Sequence, residues 1–260
     1  MGTAAVQGRL WGAAGRDWSE LNEVHCAVLY EAVFDVIGVN GATTLLDAGC
    51  GAGLALQLAA KRGATVAGFD ASAPLLEIAA ERVPAADLRV GDLESLPYGD
   101  ASFNAVTAFN SVQYAADPVG ALRELRRVVQ PGSPVGVLSW GDPDRCETRT
   151  ILAAIGGLLP PPPPGAPGPF ALATPGRLES LLADAGIEAV DSGEVQQAFR
   201  FPDLDEAVRA QLASGPARRA IDHAGLDAAR AAITDAYAGN RQADGGYVQR
   251  NVFRYVVGRA

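Results

Sequence analysis

A glycine-rich stretch behind an acidic residue is the part of the sequence best suited to bind a ligand. In LLDAGCGAG, residues 45–53, Asp47 ends an apolar run and is followed by Gly49 and Gly51. Such glycines let the backbone approach a ligand and adopt positive φ. The stretch lacks the GxxxxGK[ST] of a P-loop, and Leu54 occupies the third small position of the dinucleotide fingerprint GxGxxG. Because the Asp47 carboxylate would repel a pyrophosphate and attract a cation, we expect a small, positively charged ligand without phosphate.

Two more acidic residues end the next two apolar runs. Asp70 and Ala71 close VAGFDAS, and Asp92 and Leu93 lie in VGDLESLP. An acid at the end of the second strand can accept hydrogen bonds from ribose hydroxyls, and Asp92 with Leu93 suits the amino group and the face of an adenine. S-adenosylmethionine (SAM) carries a sulfonium, an ammonium, a ribose and an adenine, but no phosphate. The acids and the glycines together therefore predict SAM as the cofactor.

Apolar runs that alternate with amphipathic runs predict the elements that position these residues. Between residues 43 and 140 the pattern is typical of repeated βα units with a parallel sheet. The predicted strands are TTLLDAG, ATVAGFD, ADLRVGD, SFNAVTAF and SPVGVLSW, followed by EAVDSGEVQQAFRF and YVQRNVFRYVVGR, and the predicted helices include LALQLAAKRG, SAPLLEIAAERV, DPVGALRELRRVVQPG and TPGRLESLLADAG. Ligands bind at the carboxyl ends of strands in such sheets, so the glycine loop and the acids are expected at one edge.

The flanking segments predict a lid and a cap around this core. Residues 1–42 have helical apolar spacing and are interpreted as an N-terminal helical lid that supplies Trp18. Residues 43–260 form the predicted SAM-binding domain, with a helical cap insertion at residues 203–240 before an antiparallel last strand. The proline-rich LLPPPPPGAPGPF is expected to be an extended linker. On this interpretation, removal of residues 1–42 leaves a core that folds but transfers poorly.

Composition narrows the class of protein. The net charge of −9 does not fit a protein that coats nucleic acid. Cys26, Cys50 and Cys146 are too far apart for a zinc knuckle, and their odd number does not indicate a disulfide framework, so a reducing compartment and no metal are expected. The sequence shows no leader peptide and no membrane-length apolar run. These features predict a cytoplasmic protein with no membrane partner, and they do not indicate an oligomeric state.

Four stretches in register give the chain a family resemblance. LLDAGCGAG, GFDAS, GDLESLPYGDASFNAV and LRELRRVVQPGSPVGVLSW resemble class I SAM-dependent methyltransferases of the broad group that includes ubiquinone and menaquinone biosynthesis methyltransferases. The resemblance covers residues 45–140 and implies an α/β fold with a Rossmann-like, seven-stranded, mostly parallel sheet whose antiparallel last strand inserts next to the fifth. The cofactor-binding residues that it implies are Trp18, Asp47, Gly49, Gly51, Asp70, Ala71, Asp92, Leu93 and Asn110.

Catalytic residues are harder to predict, because methyl transfer is an in-line displacement that needs alignment and exclusion of water more than a protein nucleophile. His25 and His223 are candidate general bases, although each is also explained as a surface or packing residue. Gln113 and Tyr114 follow the fourth strand and are candidates for orienting the acceptor, a small molecule or a short peptide. Arg250 and Arg254 are candidates for holding a substrate carboxylate.

Two alternatives remain open at this point. A noncatalytic protein that binds SAM or S-adenosylhomocysteine (SAH) would carry the same motifs, and only turnover separates it from an enzyme. A nicotinamide-dependent oxidoreductase would share the sheet, although Asp47 and the incomplete GxGxxG argue against it. The acceptor atom is not indicated by the sequence, since folds of this kind serve many reactions.

Overall fold

Seven strands form one sheet in the computed structural model, which describes residues 2–161 and 168–260. The strands are β1 (Thr44–Ala48), β2 (Thr65–Asp70), β3 (Asp87–Val90), β4 (Ala105–Phe109), β5 (Pro134–Trp140), β6 (Glu188–Phe201) and β7 (Tyr247–Arg259). Their order is β3-β2-β1-β4-β5-β7-β6. Strands β1 to β5 pair in parallel, whereas β7 is antiparallel to both of its neighbours. This topology confirms the predicted Rossmann-like sheet, including the position of the last strand beside the fifth.

Helices cover both faces of the sheet and its carboxyl edge. They are α1 (Ala4–Gly12), α2 (Gly15–Asp17), α3 (Ala27–Ile37), α4 (Leu54–Lys61), α5 (Ala73–Arg82), α6 (Pro118–Val128), α7 (Thr148–Gly156), α8 (Arg177–Asp184), α9 (Leu204–Leu212), α10 (Gly215–Ala224) and α11 (Leu226–Ala236). The hydroxyl of Ser72 caps α5 by accepting from the Leu75 N–H, and the Asp117 carboxylate caps α6 by accepting from the Gly120 N–H. Both helices carry proline in the first turn, as their sequences predict.

Two expectations about segments outside the sheet have different outcomes. The central part of the predicted proline-rich linker, residues 162–167, lies outside the described residues, so that interpretation stays a prediction. Among residues 2–161 and 168–260, no helix is long and apolar enough to cross a membrane.

The N-terminal segment divides into two parts with different roles. Residues 2–26 form α1, α2, a π-helical turn (Trp18–Asn22) and a 3-10 turn (Glu23–Cys26) at the carboxyl edge of the sheet. Helix α3 instead packs flat on the sheet, with Leu29, Val33 and Phe34 fully buried. The Tyr30 ring stacks on Phe109 of β4 at 4.7 Å between centroids. The segment predicted as one lid up to residue 42 therefore contains two parts: residues 2–26, called the lid below, and helix α3, which belongs to the core. Apolar spacing alone does not tell which surface a helix covers.

Strands β6 and β7 continue beyond the end of β5. The pairing of β5 with β7 stops at Trp140 and Phe253, whereas β6 and β7 remain paired out to Phe201 and Tyr247. This two-stranded extension, residues 195–201 and 247–253, is called the arm below. Its residues alternate between two faces, and the face that carries Phe199, Phe201 and Phe253 is buried.

The predicted cap folds as three helices over the arm. Helices α9, α10 and α11 connect β6 to β7, and a 3-10 turn (Tyr237–Asn240) closes the insertion. The ring of Tyr237 is fully buried between Phe201 and Tyr247 of the arm. The cap also touches the lid, since Arg9 pairs with Asp222 at 2.6 Å. The cap and the lid thus meet above the carboxyl edge of the sheet.

The burial of α3 generates a prediction about truncation. Phe34→Ala should lower the free energy of unfolding by about 3–5 kcal/mol, because a fully buried ring is replaced by a cavity. Val36→Ala on the same helix is the control and should change it by less than about 0.5 kcal/mol, because Val36 is 39% exposed. Deletion of residues 2–42 should then prevent folding, while deletion of residues 2–14 should not, as measured by urea denaturation. A cooperative transition in the longer deletion would contradict the core role of α3.

Candidate functional site

One large cavity lies at the carboxyl edge of the sheet, between the lid and the cap. It encloses about 1350 Å³ when counted out to its open mouth. Its wall has one part around the glycine loop and another around Trp140 and Phe253, which gives two regions where a ligand can lie. Its lining from the sheet includes the glycine loop after β1 and the residues that follow β2, β3 and β4.

The glycine loop holds a backbone conformation that other residues rarely adopt. Gly49, Gly51 and Gly53 have φ of 87°, 53° and 82°. A Cβ at Gly49 would collide with Ser111, whereas a Cβ at Gly51 would meet only Glu23 at 3.6 Å, so Gly51 leaves open space on the cavity side. The Gly49 and Gly51 positions both line the cavity, as predicted for residues that let a ligand approach the backbone.

Asp70 fixes the loop and faces the cavity at the end of β2. Its carboxylate accepts hydrogen bonds from the Gly51 N–H at 2.9 Å and from the Ser72 N–H at 2.8 Å. Desolvation raises the pKa of Asp70, and the backbone donors of Ser72 and Gly51 oppose that rise. Ala71 lines the cavity beside it. Asp70, the residue predicted to bind a ribose, therefore lies next to the glycine loop.

Other predicted cofactor residues come together along the same wall. The cavity lining includes Asp92 and Leu93 after β3, Asn110 after β4, and Trp18 from the lid. Asn110 is one of two non-glycine residues with positive φ in the described chain, at 51°. Its N–H donates to the Leu138 carbonyl at 2.8 Å, which holds this strained residue at the strand end.

Asp47 lies beneath the loop and does not line the cavity. It is buried in β1, beside its register partner Thr107 in β4, and its carboxylate accepts a hydrogen bond from the Thr107 hydroxyl at 2.8 Å. The carboxylate of Asp47 points along the sheet to β4, and its direct contact with a ligand stays a prediction. Desolvation raises the pKa of Asp47 to about 7.

The four catalytic candidates separate clearly in space. Tyr114 lines the cavity. Gln113 is buried behind it and donates from Nε2 to the Asn110 side-chain oxygen at 3.3 Å, so it contacts a cavity residue without lining the cavity. His25 stacks on Phe199 at 5.1 Å and does not line the cavity, and its burial lowers its pKa. His223 is exposed near the end of α10. Neither histidine is therefore placed to act as a base in the cavity.

An ion pair between the lid and the core was missed by sequence reasoning. Glu23 lines the cavity, is buried and pairs with Arg82 of α5. Arg82 also donates to the Ala52 carbonyl of the glycine loop at 2.9 Å and to the Ser19 carbonyl of the lid at 3.0 Å. Desolvation raises the pKa of Glu23 against the opposing effect of Arg82. Arg82, which is 59 residues from Glu23 in the sequence, therefore ties the lid to the glycine loop.

The half of the cavity away from the glycine loop is mostly apolar. Trp140 at the end of β5 packs its ring on Phe253 at 4.5 Å between centroids and on Phe199 at 6.2 Å. Thr148 and Leu152 of α7 complete this wall, and the cap adds Gln211, Ser214 and Pro216. Sequence reasoning missed these residues, because α7 and the arm contribute to the site only through tertiary packing. In the described part of the chain, no group of three metal-ligating side chains converges.

Comparisons with known proteins agree with this architecture. A family model described as "Methyltransferase domain" matches residues 46–136. The malonyl-[acyl-carrier protein] O-methyltransferase of Dechloromonas aromatica (strain RCB) is 32% identical over 194 residues, which cover 73% of this chain and 67% of that protein. With several other curated relatives the match is shorter, and the chain spans about half of their length.

Two solved structures are similar in fold. The [4+2]-cyclase SpnF aligns with a TM-score of 0.58 at 24% identity, over 90% of this chain and 80% of that chain. A geranyl diphosphate methyltransferase in complex with SAM aligns with a TM-score of 0.54 at 18% identity, over 90% of this chain and 84% of that chain. At these identities the likeness concerns the fold and not the reaction.

The buried carboxyl beneath the loop generates a prediction about pH. The folded-state pKa of Asp47, about 7, exceeds the ordinary value of 3.8. The native protein therefore binds the proton more tightly, and stability is lost as the pH rises from about 4 through 7. Asp47→Asn should remove this loss and raise the free energy of unfolding at pH 8 by on the order of 2–4 kcal/mol. Urea denaturation across this range measures it.

Asp87→Asn is the matched control for that measurement. Asp87 is exposed on β3 and does not line the cavity, so its variant should retain the wild-type pH profile. An Asp47→Asn profile that parallels the wild type would contradict the burial of a titrating carboxyl beneath the loop.

Proposed function

The chain belongs to the class I SAM-dependent methyltransferases, and from this premise we propose that it transfers a methyl group from SAM to a small molecule in the cavity between the lid and the cap. The observation that carries the proposal is the wall of the cavity, where the open backbone at Gly51 adjoins the carboxylates of Asp70 and Asp92. A cofactor with a ribose, an adenine and positive charge fits that combination.

The residues of this wall suit SAM part by part. The two oxygens of Asp70 each accept one backbone hydrogen bond, which leaves further lone pairs for ribose hydroxyls. Asp92 and Leu93 suit an adenine amino group and ring face. Glu23 lies beside Gly51 and is an anion available to the ammonium group, a role that we add to the predicted set. Asp47 lies beneath the loop, where it accepts a hydrogen bond from the Thr107 hydroxyl and joins β1 to β4.

SAM, when bound, supplies a methyl group on a positively charged sulfur, so the chain needs to align the acceptor and exclude water. The lid and the cap border the cavity on two sides and limit the access of water to it. Gln113 is a positioning residue, because it contacts the strained Asn110 at the cavity wall. No histidine is present among the described residues that line the cavity. We therefore propose that alignment, and not a histidine base, carries the catalysis.

A small acceptor is favoured over a short peptide because helices of the lid and the cap close over the cavity. The lid and the cap are joined by the Arg9–Asp222 pair and by Arg209, which pairs with Asp17 at 2.8 Å. A cytoplasmic location is proposed as well, since the three cysteines are free and buried, as suits a reducing compartment.

The fold of the chain does not by itself establish methyl transfer. A fold of this kind also occurs in SpnF, a [4+2]-cyclase, so the fold alone does not set the reaction. A nicotinamide-dependent oxidoreductase is less favoured, because a pyrophosphate would meet Glu23, Asp70 and Asp92 with no lysine or arginine among the described lining residues.

The ribose assignment generates a binding prediction. Asp70→Ala should weaken SAM binding by about 1–3 kcal/mol, because hydrogen bonds to a charged group are lost. Isothermal calorimetry measures the affinity, and Asp87→Ala is the control, since that exposed side chain lies outside the cavity. A folded Asp70→Ala variant with wild-type affinity would refute the assignment. Tighter binding of NADH than of SAM by the wild type would favour the oxidoreductase.

Turnover is tested by transfer of labelled methyl from SAM into an extract of the source cells, followed by separation by size. We expect label in the small-molecule fraction with the wild type and much less label with Asp70→Ala. Label on peptide or protein would contradict the proposed acceptor class. Binding of SAM without any labelled product would support the noncatalytic alternative.

A further inference from the structure

The apolar half of the cavity indicates what kind of acceptor it takes. We propose that the acceptor is an uncharged molecule with a flat apolar body and a hydrogen-bonding group that meets the hydroxyl of Thr148. This inference rests on the proposed function, because it identifies the second molecule in the same cavity. It is carried by three features: an aromatic wall, a buried hydroxyl without a partner, and the absence of a cation from the described lining.

The aromatic wall offers broad apolar surfaces to a flat molecule. Trp140, Phe199 and Phe253 contact one another at the point where the arm rises from the sheet. Leu152 and Pro216 line the cavity from α7 and the cap. Aromatic rings favour offset or edge contacts with other rings and contribute a large apolar area. A planar apolar ligand is therefore the shape and chemistry that this wall fits.

Thr148 is the polar feature of this wall that its own chain leaves unsatisfied. The residue is 3% exposed and lines the cavity, and its hydroxyl has no hydrogen-bond partner among the described residues. Its backbone N–H, in contrast, donates to the Asn251 side-chain oxygen at 3.1 Å, which fixes the residue against the arm. A buried polar group without a partner costs stability. The hydroxyl oxygen is closed off from the cavity in this rotamer, and rotation about χ1 would present it to a hydrogen-bonding group on the acceptor.

The charges of the cavity argue against an ionic acceptor. No lysine or arginine occurs among the described residues that line it. Arg250 and Arg254, the sequence candidates for holding a carboxylate, lie outside the lining and pair with Glu147 and Glu179. An anion would therefore be buried without a partner. A cation would also be buried without a partner there, because the acids of the lining belong to the cofactor half.

The acidic residues of the lining do not change this conclusion. Glu23, Asp70 and Asp92 belong to the cofactor half, where Glu23 lies between Arg82 and Gly51. His25 stacks on Phe199 behind the aromatic half, and burial lowers its pKa, which favours the neutral imidazole. Cys26 and Tyr30 are further ionisable groups of the lining. Burial raises the pKa of Cys26 to about 12 and also raises that of Tyr30, so both are neutral at physiological pH. The acceptor half is therefore an uncharged environment.

The test measures the binding of three matched probes to the full chain saturated with SAH. Naphthol, naphthoate and naphthylmethylammonium share one flat apolar body and differ in charge, and phenylphenol serves as a second neutral probe of different shape. By calorimetry, we expect a neutral probe to bind and both ions to bind at least about tenfold more weakly, because neither charge finds a partner. The proposal would be overturned if either ion bound as tightly as naphthol or more tightly. It would also be overturned if neither naphthol nor phenylphenol bound.

A matched pair of variants tests the role of the hydroxyl. Thr148→Val should weaken binding of the neutral probe by about 2- to 12-fold, because one hydrogen bond is lost. Its SAH affinity should be unchanged, and its thermal midpoint should stay the same or rise, since an unsatisfied group is removed. Thr150→Val is the control, because Thr150 lies on the same helix, is exposed and donates to the Glu147 carbonyl. Equal probe affinities in the two variants would overturn the proposed contact.

The design separates this inference from the proposed function. SAH affinity is measured first, in the absence of any probe. Failure of the wild type to bind SAH would remove the proposed function together with this inference. Tight SAH binding with a preference for an ionic probe would overturn the inference alone.

Discussion

The backbone turn after β1 is the constraint on which the site depends. Within five residues the chain takes positive φ at three glycines, and the loop is then fixed to the second strand, because the N–H groups of Gly49 and Cys50 donate to the Phe69 carbonyl and that of Gly51 donates to Asp70. The same carboxylate that faces the cavity therefore also sets the path of the loop. Arg82 adds the lid to this unit through Ala52 and Ser19. Loop, second strand and lid thus form one connected structure around the cofactor half.

Local sequence patterns were sufficient for the sheet and for most of the cofactor wall. Strands such as TVAGFD and the cap at Ser72 are encoded within a few residues, so their positions could be predicted. The orientation of Asp47 toward Thr107 could not be predicted, because a motif does not tell which way a side chain at a strand end points, and the register between β1 and β4 decides that. Glu23 and Thr148 were missed because their roles arise from packing between elements far apart in sequence, which no local periodicity indicates.

The two halves of the cavity come from different parts of the chain. The matched methyltransferase model covers residues 46–136, which supply the glycine loop and the acids after β2 and β3, and it ends before Trp140. The apolar half comes from Trp140, α7, the arm and the cap, all outside that range. Chemistry common to a family is thus encoded in one continuous segment, whereas features that select an acceptor are dispersed among segments that pack around it. This division explains why similarity to curated relatives is concentrated in part of the chain.

The continuity of β7 has a mechanical consequence. Its last residues are clamped between β5 and β6, while its first residues pair only with β6 and form the arm beside the cavity. The arm is therefore anchored in the sheet at one end, and at the other end it packs against Tyr237 of the cap. A ladder of hydrogen bonds resists bending more than a loop does, so the wall that carries Phe199 keeps its shape before an acceptor arrives. The entropy cost of ordering this wall is therefore incurred during folding and not each time a ligand binds.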